Sequence, residues 1–537
     1  MTFSPPLLQA SGLRAVLPDG RALYADLDLV LPAGPCALVG RNGAGKSTLL
    51  RQLAGADLLP GARVHVGGGV RLLPQHDDDA PARVVDLLGA GARFDALRRL
   101  GAGAGDAADV ERVGDDWRLE ERLHEALAGH GFDGLALERD ASRLSAGQRQ
   151  QLRLVGAWAC EAQVLLLDEP GTWLDAEASR AWSARMRTRP GAVLAVSHDP
   201  AWLDPMPRLL ELRDGGLLAV EGGLAAWRAL REAQRASAER ALAQARHARD
   251  RGRREAARER ERIERRAARG RHDRAQANQS PLLLDRHRGR AERSAGRLRS
   301  GVEARLATED AAVRDAFAAV DAMPAPVFLD AGVAVPAGRR VLAFEGAHPC
   351  HPAPVQALDW QAAGPVRIGL QGRNGSGKTT LLRALRGEAT LAAGRAIALV
   401  PARSFDAGLH GLPAEAPALD WLSARTGADA AEAANRLALL GLPGTRARQP
   451  LGTLSGGERM RVAIAAAAWA QPVAPLLLLD EPASHLDFES VEALVALLRA
   501  WPGALLVVGH DPPFLDALAL THRLHLDATR LRLEAAA

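Results

Sequence analysis

The chain has 537 residues, of which 47% are hydrophobic and 4% aromatic, and its formal net charge is only +4. This length allows roughly three or four globular domains, and so few aromatic side chains argue against a surface that stacks bases. The three cysteines, Cys36, Cys160 and Cys350, are too scattered for a disulfide framework or a metal cluster, which favours a reducing compartment.

The first residues lack the basic and apolar regions of a signal peptide, and no apolar run approaches the ~20 residues that a membrane helix requires. We therefore expect a soluble, cytoplasmic protein without membrane insertion. The charge is unevenly spread. Between Arg228 and Arg305 there are 24 arginines and 11 acidic residues, a net +13, which leaves −9 for the rest of the chain. Such a segment indicates a polyanionic partner.

The N-terminal stretch to Leu31 alternates apolar and polar residues around Pro18-Asp19-Gly20-Arg21, which predicts a β-hairpin. Tyr24, the only tyrosine, lies in this stretch. It could stack on a nucleotide base, but a core or surface position is at least as compatible with the pattern.

A glycine-rich loop follows the hairpin, between an apolar run that ends at Val39 and a helical pattern that begins at Thr48. It fits G-x-x-x-x-G-K-[ST], the loop whose backbone N–H groups surround the phosphates of a nucleotide. In such a loop the lysine reaches the β- and γ-phosphates and the next hydroxyl ligates Mg²⁺. The predicted nucleotide-binding residues are Gly40, Asn42, Gly43, Gly45, Lys46, Ser47 and Thr48.

The chain then continues with a predicted strand from Val70 that ends in Gln75. A looser region, 77–131, carries helical patterns at 94–100 and 110–127 on either side of a Gly/Ala-rich break. A motif at 144–150, which contains Ser145 and Gly147, opens a helix that runs through Trp158.

Two acidic residues end the next apolar strand, in the run Leu165-Leu166-Leu167-Asp168-Glu169-Pro170. Leu174-Asp175 follows, and a further strand ends at Ser197-His198-Asp199. Asp168 is placed to hold Mg²⁺ directly or through water, and Glu169 to polarise an attacking water. We expect His198 to contact the γ-phosphate and orient that water.

The arginine-rich segment is nearly free of Gly and Pro from Leu224 to about Gly270, which predicts one long helix. Residues 271–281 carry turn formers, and a helical pattern resumes from Arg286 to about Val320. The pattern predicts an antiparallel helical hairpin that contacts RNA, mainly at its phosphates.

After the hairpin the same motifs recur in the same order, which indicates an internal duplication. The second acidic pair is Asp480-Glu481, and His510 follows Asp480 by 30 residues, as His198 follows Asp168. Lys46 and Lys378 are the only lysines in the chain. The second set of predicted nucleotide-binding residues is Gly372, Asn374, Gly375, Gly377, Lys378, Thr379 and Thr380 in the loop and Ser455, Gly456 and Gly457 in the serine motif.

These motifs, in this order and twice over, resemble the ATP-binding cassette family across residues 5–225 and 327–530. Two cassettes, no membrane span and a charged helical linker are similar to the ABC-F class, many of whose members act on the ribosome. The resemblance implies an α/β fold with two P-loop NTPase cassettes joined by a helical hairpin. The implied domains are a first repeat (1–225), a linker (226–325) and a second repeat (326–537).

The resemblance also implies that the repeats pair head to tail, with ATP and Mg²⁺ between the phosphate loop of one and the serine motif of the other. Site one then combines the first loop, Gln75 and the first acidic pair with Ser455-Gly456-Gly457. Site two combines the second loop and acidic pair with Ser145-Ala146-Gly147. The predicted metal ligands are Ser47, Gln75, Asp168, Thr379 and Asp480, and the predicted catalytic residues are Glu169, Glu481, His198 and His510.

Two departures from the family pattern fall in site two. Its serine motif has Ala146 in place of glycine, and Ala402 ends the strand where the first repeat has Gln75; no glutamine lies between Glu388 and Arg448. We hypothesise that site two binds ATP more statically and turns over more slowly. By the same comparison, the first repeat carries about 17 extra residues within 77–131, where ABC-F proteins insert an arm.

The function that this organisation favours is an ATP-driven switch on the ribosome. By resemblance, the linker would enter the large subunit from the tRNA exit site and reach tRNA, and the protein would work as a monomer. One alternative is the motor of a transporter with separate membrane subunits, which leaves the basic hairpin without a role. Another is a DNA-repair or chromosome ATPase, which the few cysteines and the linker length disfavour.

Overall fold

The structure is a computed structural model of the 537-residue chain. It forms two compact units, Met1–Trp227 with Ala325–Ala537, and Arg228–Pro324. None of the helices in the described residues is both long and apolar enough to cross a bilayer. The structure describes residues 6–17, 20, 22–75, 82–213, 215–275, 300–302, 304–317, 335–349, 357–373, 375–406, 409, 412–442, 444–470, 474–484, 486–526 and 531–535.

The first repeat is built on two sheets that share one core. Strands β1 and β2 form the predicted hairpin and, with β4, a three-stranded antiparallel sheet. A six-stranded sheet has the order β5-β6-β7-β3-β8-β9 and is parallel except at its β8–β9 edge. The strands are β1 Leu8–Val16, β2 Ala22–Leu31, β3 Gly34–Val39, β4 Arg63–Val66, β5 Val70–Leu73, β6 Val164–Asp168, β7 Ala192–Val196, β8 Arg208–Arg213 and β9 Gly216–Glu221.

Helices cover the larger sheet, whose central strands β6 and β7 are wholly buried, as expected for apolar runs in a parallel sheet. Because the carboxyl ends of parallel strands meet at one edge, the ends of β3, β6 and β7 lie together there. The helices are α1 Lys46–Leu53, α2 Val84–Leu87, α3 Gly91–Gly101, α4 Ala107–Val113, α5 Leu119–Ala128, α6 Ala146–Ala159, α7 Ala176–Met186 and α8 Pro200–Leu203.

The prediction of one helix over 110–127 is wrong, because the structure has two, α4 and α5. Gly114 ends α4 with a φ of 59°, a left-handed conformation that glycine adopts at little cost. Asp106 caps the start of α4 by accepting a hydrogen bond from the Asp109 N–H at 2.9 Å.

The linker unit is a helical hairpin, as the sequence predicts. Helix α9 runs over Gly223–Ala275, and residues 300–302 and 304–317 are helical and are named α10. Arg253 pairs with Asp310 at 3.1 Å and Arg305 with Glu255 at 2.8 Å. Residue numbers rise on one helix as they fall on the other, so the helices are antiparallel. Of the predicted turn, 271–281, residues 271–275 belong to α9 instead, and 276–281 lie outside the described residues.

The second repeat has the same architecture, with sheets β11-β10-β13 and β14-β15-β16-β12-β17-β18. The α/β prediction is therefore confirmed in both repeats. The strands are β10 Arg340–His348, β11 Leu358–Ala363, β12 Arg367–Gly372, β13 Ala393–Ala398, β14 Ala402–Asp406, β15 Leu476–Asp480, β16 Ala504–Val508, β17 His522–Leu526 and β18 Leu531–Ala535. The helices are α11 Lys378–Leu385, α12 Ala418–Thr426, α13 Ala430–Leu439, α14 Gly456–Trp469, α15 Phe488–Arg499 and α16 Pro512–Ala517.

Sheet register corrects the predicted equivalence of Ala402 and Gln75. Ala402 begins β14, where it pairs with Leu476, the first residue of β15. The residue that pairs with the first position of the corresponding strand β6 is Val70, five residues before Gln75. The strand that precedes Ala402, β13, is not the equivalent of β5, because it pairs with β10 in the smaller sheet.

The position that corresponds to Gln75 is therefore residue 407, an alanine, which lies outside the described residues. The absence of glutamine from 388–448 is a property of the sequence and does not depend on this register. The interval to the serine motif changes with it. Gln75 precedes Ser145 by 70 residues and position 407 precedes Ser455 by 48, so the first repeat carries 22 extra residues rather than 17.

Candidate functional site

The first phosphate loop joins the end of β3 to the start of α1, and its glycines have conformations that other residues avoid. Gly40, Gly43 and Gly45 have φ values of 156°, 81° and 99°. A Cβ on Gly40 would lie 2.5 Å from the Leu212 carbonyl oxygen, so the loop also needs glycine there for space. The second loop repeats this conformation at Gly375 and Gly377, while Asn374 lies outside the described residues.

Both loop lysines are buried, with 7% of each residue exposed. Lys46 Nζ donates to the Gly40 carbonyl oxygen at 2.7 Å and to that of Arg41 at 3.2 Å. Lys378 Nζ makes the same two contacts in its own loop, at 2.8 and 3.0 Å. Burial lowers the pKa of each lysine, and nearby carboxylates oppose that shift.

A carboxylate of the opposite repeat raises the pKa of each loop lysine. The acids that raise the pKa of Lys46 include Asp487, and those that raise the pKa of Lys378 include Asp175. This exchange is reciprocal, so the structure brings the two repeats together head to tail across both phosphate loops.

The contact that joins the repeats most directly is made by Asp487 at the start of α15. Its Oδ2 accepts a hydrogen bond from the Asn42 N–H at 2.8 Å, while its Oδ1 caps α15 by accepting from the Ser490 N–H at 2.8 Å. These bonds to the carboxylate oppose the effect of burial and keep the pKa of Asp487 below its usual value. The sequence contains a signal for this residue, because a Leu-Asp pair occurs at the same place in both repeats. Its aspartate lies seven residues after Asp168 in the first repeat and seven residues after Asp480 in the second.

In each repeat, the predicted catalytic histidine lies beside the predicted catalytic glutamate at the ends of the strands. His198 Nε2 is 3.5 Å from Glu169 Oε1, and His510 Nε2 is 3.0 Å from Glu481 Oε1. Both glutamates have a left-handed backbone, with φ values of 48° and 52°. A non-glycine residue pays about 1 kcal/mol or more for this conformation, and it recurs at the same position in both repeats.

Burial raises the pKa of Glu169 to about 8, although Lys46 acts in the opposite direction. A carboxyl whose pKa lies near the operating pH is suited to accept a proton from an attacking water. In the second repeat, burial raises the pKa of Asp480, and a hydrogen bond from the Thr379 side chain partly offsets that effect.

Ten of the predicted residues of the first repeat line one cavity of about 390 Å³, whereas Gly40, Ser145 and Gly147 are not among its lining residues. Three aliphatic residues complete its wall, Leu17 and Leu23 beside the hairpin and Val196 at the end of β7, and sequence reasoning did not identify them. Tyr24 instead lies in the core, 2% exposed, with its hydroxyl 3.0 Å from Gln52 Oε1. The predicted residues that line the cavity are Asn42, Gly43, Gly45, Lys46, Ser47, Thr48, Gln75, Asp168, Glu169 and His198.

The serine motifs begin helices α6 and α14. Ser145 and Ser455 each accept a hydrogen bond from the backbone N–H three residues later and form a capping box at the start of the helix. A Cβ on Gly457 would lie 2.3 Å from Ser490 Oγ, so the second serine motif packs closely on α15. Through Ser490 and Asp487, that motif is connected to the first phosphate loop.

Comparison with known proteins agrees with this geometry. A family described as ABC transporter matches residues 24–172 and 355–484, more than half of the chain. The tylosin resistance ATP-binding protein TlrC of Streptomyces fradiae is 32% identical over 92% of this chain and 92% of its own length. This chain belongs to the ATP-binding cassette family. Its tandem cassettes and relatives place it in the ABC-F subfamily, and it is an ATP hydrolase.

Other members of the family are similar over most of the chain. The probable ATP-binding protein YheS of Escherichia coli strain K12 is 29% identical over 95% of this chain and 77% of its own length. The energy-dependent translational throttle protein EttA of the same strain is 28% identical over 94% of this chain and 90% of its own. The archaeal ribosome recycling factor aABCE1, solved with the ribosomal stalk protein aP1, has a TM-score of 0.57 at 17% identity over 96% of this chain and 87% of its own, which shows the ABC fold.

Proposed function

We propose that this ABC-F protein is a switch on the ribosome, in which ATP bound at two head-to-tail sites holds the repeats together and hydrolysis lets them separate. The observation that carries the proposal is the hydrogen bond between the Asn42 N–H and Asp487, because it joins a phosphate loop to the other repeat. ATP in site one would bind directly beside this bond, so its hydrolysis would act on the contact between the repeats.

The proposed roles follow from the position of each side chain. Lys46 and Lys378, with the N–H groups of their loops, bind the phosphates, and Glu169 and Glu481 polarise the attacking water. His198 and His510 orient that water, each beside its glutamate. Ser455-Gly456-Gly457 and Ser145-Ala146-Gly147 meet the γ-phosphate at helix N-termini.

The residues present fit Mg²⁺. The Thr379 side chain hydrogen-bonds Asp480, which brings together the two oxygen donors predicted for the metal in site two. Ser47 and Asp168, with Gln75, line the cavity in site one. Among the described residues no three His, Cys, Asp or Glu side chains converge as a metal site, so phosphate oxygens and water would complete the shell, as Mg²⁺ usually requires. When bound, Mg²⁺ would neutralise charge that develops on the phosphates.

The proposed partners are the ribosome and tRNA, contacted through the linker, 226–325. Relatives named for tylosin resistance and for a translational throttle support a role in translation or in antibiotic resistance. The linker helices supply the basic surface that such a contact requires. The proposed protein is a cytoplasmic monomer with the domains 1–225, 226–325 and 326–537, and the proposed site of entry is the tRNA exit site of the large subunit.

Cosedimentation tests this function. Purified protein is mixed with ribosomes or with membrane vesicles, each with ATP or ADP, at low salt. The proposal predicts that the protein pellets with ribosomes and that ATP raises the bound fraction. Pelleting with vesicles, and not with ribosomes, would instead support the transporter alternative.

A further inference from the structure

Three consecutive residues at the start of α15 reach across to the first repeat. Asp487 accepts from the Asn42 N–H, and Glu489 Oε2 lies 3.3 Å from Arg41 Nε. Between them, the ring of Phe488 packs edge-on to His198, with 6.0 Å between ring centroids and an interplanar angle of 69°. This residue of the second repeat therefore packs against a predicted catalytic histidine of the first.

Phe488 also contacts Trp227, which lies near the start of the linker helix α9. Its ring centroid is 5.3 Å from that of Phe488, and its Nε1–H donates to Glu211 Oε2 at 2.9 Å. Trp227 is 7% exposed and Glu211 on β8 is 5% exposed, so this hydrogen bond is buried and fixes the indole ring.

The two repeats differ at this position. The first repeat has Ala176 directly after Asp175, where the second has Phe488 directly after Asp487. The exposed fraction of the histidine side chain differs in the same sense, at 8% for His198 and 21% for His510. An aromatic residue thus covers the histidine of site one, and the corresponding residue of the first repeat is too small to do the same in site two.

We propose that Phe488 is a positioning residue for His198, and that Trp227 holds Phe488 in place, so that the first turn of the linker helix α9 is connected to site one. The inference rests on the proposed roles of His198 and Glu169. An imidazole ring that can rotate freely loses the orientation needed to align a water, whereas edge-to-face packing restricts it. Because Trp227 belongs to α9, a change at that helix would reach site one through this contact.

The test measures ATP turnover by Phe488→Ala in two backgrounds. In Glu481→Gln, where site one carries turnover, we expect kcat to fall about tenfold and the KM for ATP to stay within about twofold. In Glu169→Gln, where site two carries turnover, we expect a change of less than about twofold. Since Phe488 belongs to the second repeat, a loss of packing would impair site two as well. An equal loss in both backgrounds would therefore overturn the proposal.

Two further variants, both in the Glu481→Gln background, complete the test. Phe488→Tyr keeps the ring and is expected to restore kcat to within about twofold. Trp227→Ala is expected to lower kcat as Phe488→Ala does, and the double variant no further, because the two residues act through one contact. Additive losses would contradict the role of Trp227. Absence of ATP turnover in the parent protein would contradict the catalytic assignments themselves.

Discussion

Lysine occurs only at positions 46 and 378, and both side chains are buried beneath a phosphate loop. In each loop, Nζ donates to the carbonyl oxygens of the equivalent glycine and arginine. A compact ammonium group on a flexible chain fits this space, whereas a planar guanidinium would crowd it. This explains why a chain that otherwise uses arginine keeps lysine here.

The two proposed catalytic glutamates share a left-handed backbone and a neighbouring histidine but differ in their surroundings. Site one has Gln75 and an unaltered serine motif, while site two has Ala146 and no glutamine at position 407. We predict that Glu169→Gln lowers ATP turnover by more than about tenfold and that Glu481→Gln lowers it by less than about threefold. Steady-state ATPase assays of the two variants compare them directly. Equal losses would show that both sites hydrolyse ATP at similar rates.

At the scale of elements, the start of α15 serves two purposes through one carboxylate. Asp487 caps its own helix with Oδ1 and holds the first phosphate loop with Oδ2. Asp175 caps α7 in the same way, with the Ala178 N–H at 2.9 Å from its Oδ1. The cap is a local property that sequence can predict, but the contact with Asn42 depends on how the repeats meet.

The substitution Asp487→Ser separates the capping of α15 from the contact with Asn42. Serine caps helices about as well as aspartate, so we predict that Asp487→Ala lowers the free energy of unfolding by about 1 kcal/mol more than Asp487→Ser does. A serine side chain is too short to reach both N–H groups, so both variants should lose ATP turnover. Chemical denaturation and ATPase assays measure the two effects. Wild-type turnover in Asp487→Ser would argue against a functional bond to Asn42.

The linker helices carry arginines in two situations. Arg253 and Arg305 pair with acidic residues of the facing helix, whereas the exposed Arg251, Arg254 and Arg258 lie outside the ion pairs seen in the described part of the hairpin. Exposed guanidinium groups are available to phosphates, and each phosphate contact adds to the salt dependence of binding.

We predict that replacing Arg251, Arg254 and Arg258 together by Gln weakens RNA binding. The slope of log K against log salt should become less negative by about two to three. The matched control replaces Arg253 and Arg305 by Gln, which should change the slope by less than about one, since these groups are already paired. Filter binding to ribosomal RNA at several salt concentrations measures both slopes. A slope unaffected by the triple substitution would remove this face of α9 from the RNA contact.

At the scale of the whole molecule, the sequence predicts the two repeats, their α/β class and the hairpin because each depends on local motifs and periodicity. The sequence does not identify the strand equivalent to β5, because residues 393–398 and 402–406 both form strands. Only sheet pairing shows that 402–406 is the one beside β15. The sequence also misses the contacts of Asp487 and Phe488, which join residues hundreds of positions apart. Motif spacing contains no information about that distance.

The most direct test of the account is ATP-dependent capture by the Glu169→Gln, Glu481→Gln double variant. With ATP, which it binds without hydrolysing, this protein is predicted to stay closed and to pellet with ribosomes, and with ADP to remain in the supernatant. Lys46→Met, Lys378→Met is the control, because it lacks the buried ammonium groups proposed to bind phosphate and should not respond to ATP. Equal pelleting of the double glutamate variant with ATP and with ADP would contradict a nucleotide-driven switch.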